Sequence, residues 1–191
     1  MNLANKITMV RVLAIPFFIF FLMTDMVPGS KWIALGLFIG ASLTDFLDGF
    51  IARKYNMISN FGKFMDPIAD KLLVCSALIC LLVKMHDENE YFLYLVLLII
   101  ARDFITQGFR LVASVTGVVI AANWLGKIKT TLQMFMIGFL IADLEKLEVV
   151  SMVFEWVVLF FTLYSLFDYI YKNRSVFGDM DKGKLSGKKK D

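Results

Sequence analysis

The chain has 191 residues, of which 59% are hydrophobic and 19% are charged, and its formal net charge is +3. This length corresponds to one domain. The composition excludes an ordinary water-soluble domain, because the apolar residues fall into blocks near the length that crosses a hydrocarbon core about 30 Å thick. The small positive charge indicates attraction to anionic lipid headgroups, and we expect no nucleic-acid partner.

Each apolar block is predicted to be a transmembrane helix. The blocks are 7–24, 31–53, 63–84, 91–115, 127–143 and 150–171. The predicted fold is therefore all-α, a polytopic membrane protein with a bundle of six transmembrane helices. We expect a membrane domain at 1–175 and a basic cytoplasmic tail at 176–191. The first block is expected to be a retained helix, because Arg11 lies inside it and no small-residue cleavage site follows it.

The positions of Lys and Arg predict the orientation. If the N-terminus is cytoplasmic, the outer segments carry only Lys31, Lys84 and Lys146, while nearly all other basic residues fall on the inner side. An even number of spans then places both termini in the cytoplasm. Inside the spans, Cys75 and Cys80 are interpreted as packing residues.

Four aspartates occur close together around the junction of the second and third blocks. Asp45 and Asp48 are three positions apart, and Asp66 and Asp70 are four apart, so each pair lies on one face of a helix. One explanation is a set of solvated acids paired with neighbouring Lys and Arg side chains. The other is a site for Mg²⁺ or Mn²⁺, since these ions prefer carboxylate oxygens and share their remaining positions with a diphosphate.

Two glycines and one arginine favour the metal site. Gly49 directly follows the first acidic pair and Gly62 precedes the second. Each lacks a side chain where a phosphate or a nucleotide needs a close backbone approach. Arg53 carries a planar guanidinium that can bind a phosphate oxygen, and its alternative role is that of an interfacial anchor.

The full pattern from Asp45 to Asp70, Asp-x2-Asp-Gly-x2-Ala-Arg-x8-Gly-x3-Asp-x3-Asp, resembles the signature of the CDP-alcohol phosphotransferases at every defined position. The six-helix plan and the chain length agree with that family. The resemblance implies a pair of Mg²⁺ or Mn²⁺ ions, with Asp70 also acting as the catalytic base. The implied metal ligands are Asp45, Asp48, Asp66 and Asp70. The implied CDP pocket contains Asp45, Gly49, Ala52, Arg53 and Gly62.

A second group of polar residues lies on the fourth and fifth blocks. Asp103 and Arg110 share one stripe of the fourth block, and Lys127 and Lys129 open the fifth. Polar side chains within an apolar span usually face the bundle interior or a cavity. The cations are interpreted either as positive-inside anchors or as a basic pocket for an acidic acceptor. The nearby aspartates favour the second interpretation. Arg102, beside Asp103, is interpreted as part of a structural ion pair or as an interhelical tether.

The chain also resembles the bacterial branch of the family whose acceptor is glycerol 3-phosphate, through its segments 5–11 and 126–130. This resemblance implies that Asn5 and Thr8 contribute to the CDP pocket. An alternative role for Asn5 or Thr8 is capping of the first helix. An alternative role for Arg11 is that of an interfacial anchor. The implied ligands of the acceptor phosphate are Arg11, Arg110, Lys127 and Lys129.

The implied reaction transfers the phosphatidyl group of CDP-diacylglycerol to sn-glycerol 3-phosphate, with release of CMP, at the cytoplasmic face of the cell membrane. The family resemblance also implies a homodimer surrounded by membrane lipids. The aspartate motif does not choose the acceptor, so inositol phosphate, serine and phosphatidylglycerol remain alternatives. The other classes considered are a membrane prenyltransferase, which binds diphosphate through Asp-rich motifs, and an ion carrier, which uses intramembrane acids.

Overall fold

The computed structural model describes residues 3–24, 26–54, 60–85, 90–115, 124–143 and 148–181. Within these ranges the chain forms helices and no strand, which confirms the predicted all-α class. The helices are α1 Leu3–Met23, α2 Ser30–Lys54, α3 Asn60–Met85, α4 Glu90–Val115, α5 Trp124–Ala142 and α6 Glu148–Asp181. Each contains one of the predicted apolar blocks almost entirely. The largest difference is in α6, which continues to Asp181, beyond the end of the predicted apolar block at 171, because backbone hydrogen bonding does not stop where the apolar residues end.

Three stretches are long and apolar enough to cross a membrane: Glu90–Leu111, Trp124–Ala142 and Glu148–Lys172. Shorter apolar stretches occupy Thr8–Met23 and Ser30–Thr44. Large apolar side chains point outward along the bundle, as expected for a surface that contacts lipid. These features support a membrane protein, while the count of six spans stays a prediction.

The α1–α2 turn and the end of α5 lie at the same end of the bundle. Gly29 has a φ of 77°, a conformation that glycine adopts without steric cost, and it lets the chain reverse before α2. The Ser30 hydroxyl donates a hydrogen bond of 2.7 Å to the carbonyl oxygen of Thr24, which closes the turn. The Nζ atom of Lys31 lies 3.7 Å from Oδ2 of Asp143, just after α5. The start of α2 therefore meets the end of α5, so these two helices run antiparallel.

Helices α4 and α6 run parallel to each other. At the start of α4, the Tyr91 hydroxyl donates a hydrogen bond to Glu155, and its ring stacks on Trp156 with a centroid distance of 5.7 Å. Further along, Nε of Arg102 lies 3.1 Å from Oγ of Ser165. The second contact is further along both helices than the first, by 11 residues in α4 and 10 in α6. The two helices therefore run in the same direction, as expected if α5 crosses back between them.

Apolar and polar side chains are buried at different ends of the bundle. The apolar core includes Phe18, Phe38 and Phe92, and it lies towards the end where α1 finishes and α2 begins. Cys80 belongs to this core, which confirms its predicted packing role, and Cys75 is half-buried. Most buried polar side chains lie nearer the opposite end, among them Thr8, Arg11, Arg102, Asp103, Lys129 and Ser165. The candidate site is therefore at that end.

Candidate active site

Helices α2 and α3 carry the aspartate motif where they approach the polar end. Asp45 lies about 22 Å along α2 from its first residue, and Asp70 about 22 Å along α3 from its last, so both lie at a similar level. The backbone at both pairs is helical, as predicted. For several predicted site residues the structure describes the backbone alone, so their roles stay predictions. They are Asn5, Asp45, Asp48, Gly49, Ala52, Arg53, Gly62, Asp66 and Asp70.

The donor set of the motif fits a hard divalent cation. All four predicted ligands are carboxylates on helical backbone at spacings of three and four, and oxygen donors suit Mg²⁺ and Mn²⁺. Among the residues whose side chains are described, no group of three or more His, Cys, Asp or Glu residues comes together. The donor chemistry of the motif is therefore compatible with the predicted metal site.

A buried ion cluster centred on Asp103 lies at a comparable level. Asp103 is 4% exposed and lies about 20 Å along α4 from its first residue. Its Oδ1 atom accepts hydrogen bonds from Lys129 Nζ at 2.7 Å and from Arg102 Nη1 at 3.1 Å. Its Oδ2 atom lies 3.6 Å from Nζ of Lys71. One carboxylate thus holds together cations from α3, α4 and α5, and the predicted Arg102–Asp103 ion pair is confirmed.

Arg102 connects this cluster to the remaining helices. Its Nε donates to Ser165 on α6 at 3.1 Å, while its backbone carbonyl accepts a hydrogen bond from Thr106. A Cβ atom placed on Gly126 would lie 3.3 Å from Nη2 of Arg102. Glycine at this position therefore lets the first turn of α5 approach the guanidinium.

Among the described residues, three cations contact the Asp103 carboxylate: Lys71, Arg102 and Lys129. Buried charge is costly unless it is paired and hydrogen-bonded, so such a cluster favours anions nearby. Lys71 directly follows Asp70 in the chain. The arrangement can therefore place a phosphate-attracting group beside the aspartate motif.

Comparison with known proteins identifies the family. The model of the CDP-alcohol phosphatidyltransferase family matches residues 1–164. The chain belongs to the CDP-alcohol phosphatidyltransferase family.

Three relatives bear the name CDP-diacylglycerol–glycerol-3-phosphate 3-phosphatidyltransferase. The protein of Bacillus subtilis (strain 168) is 42% identical over 187 residues, covering 90% of this chain and 95% of the relative. That of Rickettsia bellii (strain RML369-C) is 38% identical, covering 88% and 93%. That of Haemophilus influenzae (strain ATCC 51907) is 32% identical, covering 88% and 91%. Membership of this family sets aside the prenyltransferase and ion-carrier alternatives.

In this CDP-alcohol phosphatidyltransferase, the cations predicted to bind the acceptor phosphate occupy different environments. Lys129 is fully buried in the Asp103 cluster, and Arg110 is half-buried further along α4. Lys127 is exposed, with Nζ 5.8 Å from the centroid of the Trp124 ring. Arg11 is 2% exposed on α1. Their joint role in binding the acceptor phosphate stays a prediction.

Two cluster members were not assigned to the acceptor pocket by the sequence analysis. Lys71 was treated only as a possible partner of the acids, and Arg102 only as part of an ion pair or as an interhelical tether. The sequence signal available for Lys71 was its position next to Asp70. Its proximity to Lys129 arises only from the packing of α3, α4 and α5.

Gln133 and Thr162 are buried polar residues next to the cluster. Gln133 lies one turn after Lys129 on α5, and Thr162 one turn before Ser165 on α6. Both are at most 2% exposed, and no hydrogen-bond partner within the described structure reaches the Gln133 amide atoms or the Thr162 hydroxyl. Because buried polar groups in native proteins are normally satisfied, these atoms mark a place for water or for a hydroxylated ligand.

Proposed function

We propose that the chain transfers the phosphatidyl group of CDP-diacylglycerol to sn-glycerol 3-phosphate, giving phosphatidylglycerophosphate and CMP. The observation that carries this proposal is the aspartate signature on α2 and α3, in a chain matched along most of its length by relatives named for this reaction. The acidic motif supplies the chemistry that any member of the family needs. The buried cations bear on the choice of acceptor.

The aspartates are proposed to hold a pair of Mg²⁺ or Mn²⁺ ions through Asp45, Asp48, Asp66 and Asp70. When bound, the ions supply positive charge that stabilises the donor diphosphate and the departing CMP. Gly49, Ala52, Arg53 and Gly62 would form the nucleotide pocket, with Asn5 and Thr8 contributed by α1.

Asp70 is the proposed general base. An acceptor hydroxyl oxygen forms a bond to the phosphorus atom that carries the diacylglycerol, and the bond from that phosphorus to the CMP oxygen breaks. The hydroxyl proton passes to the Asp70 carboxylate. Lys71, the next residue, reaches Asp103, so α3 is held against α4 directly beside the proposed base.

The three cations that converge on Asp103 support a phosphorylated acceptor. Glycerol 3-phosphate and inositol phosphate bring a phosphate group, whereas serine brings none. The names of the relatives favour glycerol 3-phosphate between the first two. Lys71 and Arg102 join Arg11, Arg110, Lys127 and Lys129 as candidates for attracting that phosphate.

The enzyme is proposed to work as a homodimer in the cell membrane, with six spans and both termini in the cytoplasm. The apolar helices and their exposed apolar side chains support the membrane location. The orientation rests on the concentration of Lys and Arg at the end of the bundle that carries the aspartates.

The proposal is tested with purified protein, CDP-diacylglycerol and Mn²⁺, by measuring CMP release with glycerol 3-phosphate, inositol phosphate, serine or phosphatidylglycerol as acceptor. We expect release only with glycerol 3-phosphate, and its loss in Asp70→Asn but not in Asp143→Asn, an exposed acid at the opposite end. Equal release with serine would refute the acceptor assignment. Full turnover of Asp70→Asn would refute the base.

The metal assignment needs its own measurement. We expect EDTA to abolish CMP release and added Mn²⁺ or Mg²⁺ to restore it, because four carboxylates require cations to bind a diphosphate. Binding of Mn²⁺ to the resting protein, followed by electron paramagnetic resonance, should weaken in Asp48→Asn. Release that persists at full rate in EDTA would contradict this assignment.

A further inference from the structure

A groove lies between α1 and α2, on the side of α2 that leads to the aspartate motif. It encloses about 350 Å³ and is mainly apolar. Val10, Arg11 and Ala14 of α1 line one wall, and Gly36, Gly40 and Thr44 of α2 line the other.

The groove exists because α2 carries small residues at intervals of four. A Cβ atom added to Gly36 or Gly40 would meet no atom within 4 Å beyond the helix itself. Both glycines are exposed, so the groove is open at the side of the bundle. In the sequence, Gly36 and Gly40 form a small-xxx-small pair, a pattern common in helix packing. Within the described structure, no side chain of another helix comes within 4 Å of a Cβ atom placed on either glycine.

The groove leads towards the first two aspartates. On α2, helical spacing continues from Gly36, Gly40 and Thr44 to Asp48, four positions further on. The rings of Phe18 and Phe38 lie 6.0 Å apart and set the register between the two antiparallel helices. Arg11 is seven residues from Phe18 on α1, and Asp45 is seven residues from Phe38 on α2, both towards the polar end. Arg11 and Asp45 therefore lie at about the same level.

These features match an amphiphile with an anionic headgroup. The groove offers apolar walls along its length and a buried cation, Arg11, at its polar end. The metal-binding motif follows immediately. A lipid tail in the groove would therefore direct its diphosphate towards the aspartates.

We propose that this groove holds an acyl chain of the CDP-diacylglycerol donor, with the glycerol backbone near Thr44 and the tail running past Gly40 and Gly36. The inference rests on the proposed function for the identity of the donor. It adds the location of the tail and makes the two glycines determinants of acyl-chain length. Gly36 lies about 12 Å along the helix from Thr44, so it borders only the distal part of a long chain.

The test compares Gly36→Leu and Gly40→Leu using dipalmitoyl and dioctanoyl forms of CDP-diacylglycerol. We expect Gly36→Leu to lower kcat/KM for the dipalmitoyl donor about tenfold while leaving the dioctanoyl donor almost unaffected. Gly40→Leu, nearer the headgroup, should impair both donors. The KM for glycerol 3-phosphate should be unchanged in both variants. If Gly36→Leu lowers kcat/KM equally for the two donors, or for neither of them, the proposal is overturned.

Gly108→Leu on α4 is the matched control. Gly108 is also exposed, and a Cβ atom there also meets nothing within 4 Å, but it does not line the groove. It should show no dependence on chain length. A change of oligomeric state in Gly36→Leu without a chain-length effect would mean that a second copy occupies the groove, which would overturn the proposal.

Photo-cross-linking separates this inference from the proposed function. A CDP-diacylglycerol carrying a diazirine in one acyl chain should label peptides of α1 and α2 in wild-type protein, and less so in Gly40→Leu. Labelling spread evenly over α4 and α6 would refute the groove. Specific α1–α2 labelling without CMP release from any acceptor would support the groove and refute the transferase reaction.

Discussion

The Nζ atom of Lys129 lies 2.7 Å from Oδ1 of Asp103, and the two side chains are 0% and 5% exposed. Lys129 lies near the start of α5, where the positive-inside rule alone would explain a lysine. In the structure it is instead bound to a carboxylate inside the bundle. The same carboxylate reaches Lys71, next to the proposed base. This ion cluster connects the acidic motif to the helices that carry the predicted acceptor pocket.

We expect Asp103→Asn to destabilise the protein by about 3–5 kcal/mol, because it leaves buried cations without their counter-charge. Unfolding in detergent measures the effect. Asp143→Asn is the control, since its pair with Lys31 is exposed and such pairs contribute about 0–1 kcal/mol. Equal stability of the two variants would show that the Asp103 cluster does not hold the helices together.

Lys129→Met should raise the KM for glycerol 3-phosphate about tenfold or more, since a hydrogen bond to a charged group contributes about 1.5–3 kcal/mol. Lys127→Met should have a smaller effect, because Lys127 is exposed to solvent. The measurement is a full kinetic analysis with both substrates. A rise in the KM for CDP-diacylglycerol instead would move Lys129 from the acceptor side to the donor side.

Gly126→Ala should cost stability despite the better helix propensity of alanine. Its Cβ atom would lie 3.3 Å from Nη2 of Arg102, closer than a relaxed contact, and would displace the guanidinium from Asp103 or Ser165. Gly138→Ala is the matched control on the same helix, where the nearest atom, on Leu35, is 4.0 Å away. There we expect a gain of up to about 1 kcal/mol. Thermal unfolding that ranks the two variants in the opposite order would contradict the close contact.

Gln133→Met should distinguish a role of Gln133 in packing, seen in stability, from a role in ligand binding, seen in the KM for glycerol 3-phosphate. Its amide atoms have no hydrogen-bond partner within the described structure, so an apolar side chain of similar length should leave stability unchanged or raise it. If the amide binds an acceptor hydroxyl, the KM for glycerol 3-phosphate should rise about tenfold. Calorimetry and kinetics on one preparation measure both. Lower stability with unchanged KM would indicate that Gln133 binds structural water.

The sequence by itself determined the helical class, the order of the six helices and the position of the aspartate motif. These features depend on local composition and on spacings of three and four residues, which a helix converts directly into shared faces. The Arg102–Asp103 pair was also predictable, because the two residues are neighbours and a charge within an apolar span requires a partner.

Only the tertiary structure decided that Lys71 and Lys129 share Asp103, and that Gly36 and Gly40 face a groove instead of another helix. Both outcomes depend on how helices from distant parts of the chain rotate and pack against one another. Apolar spans that are hydrophobic on all sides contain little information about that rotation, because lipid and protein interior favour the same residues. The energy that selects the arrangement comes from complementary side chains on different helices.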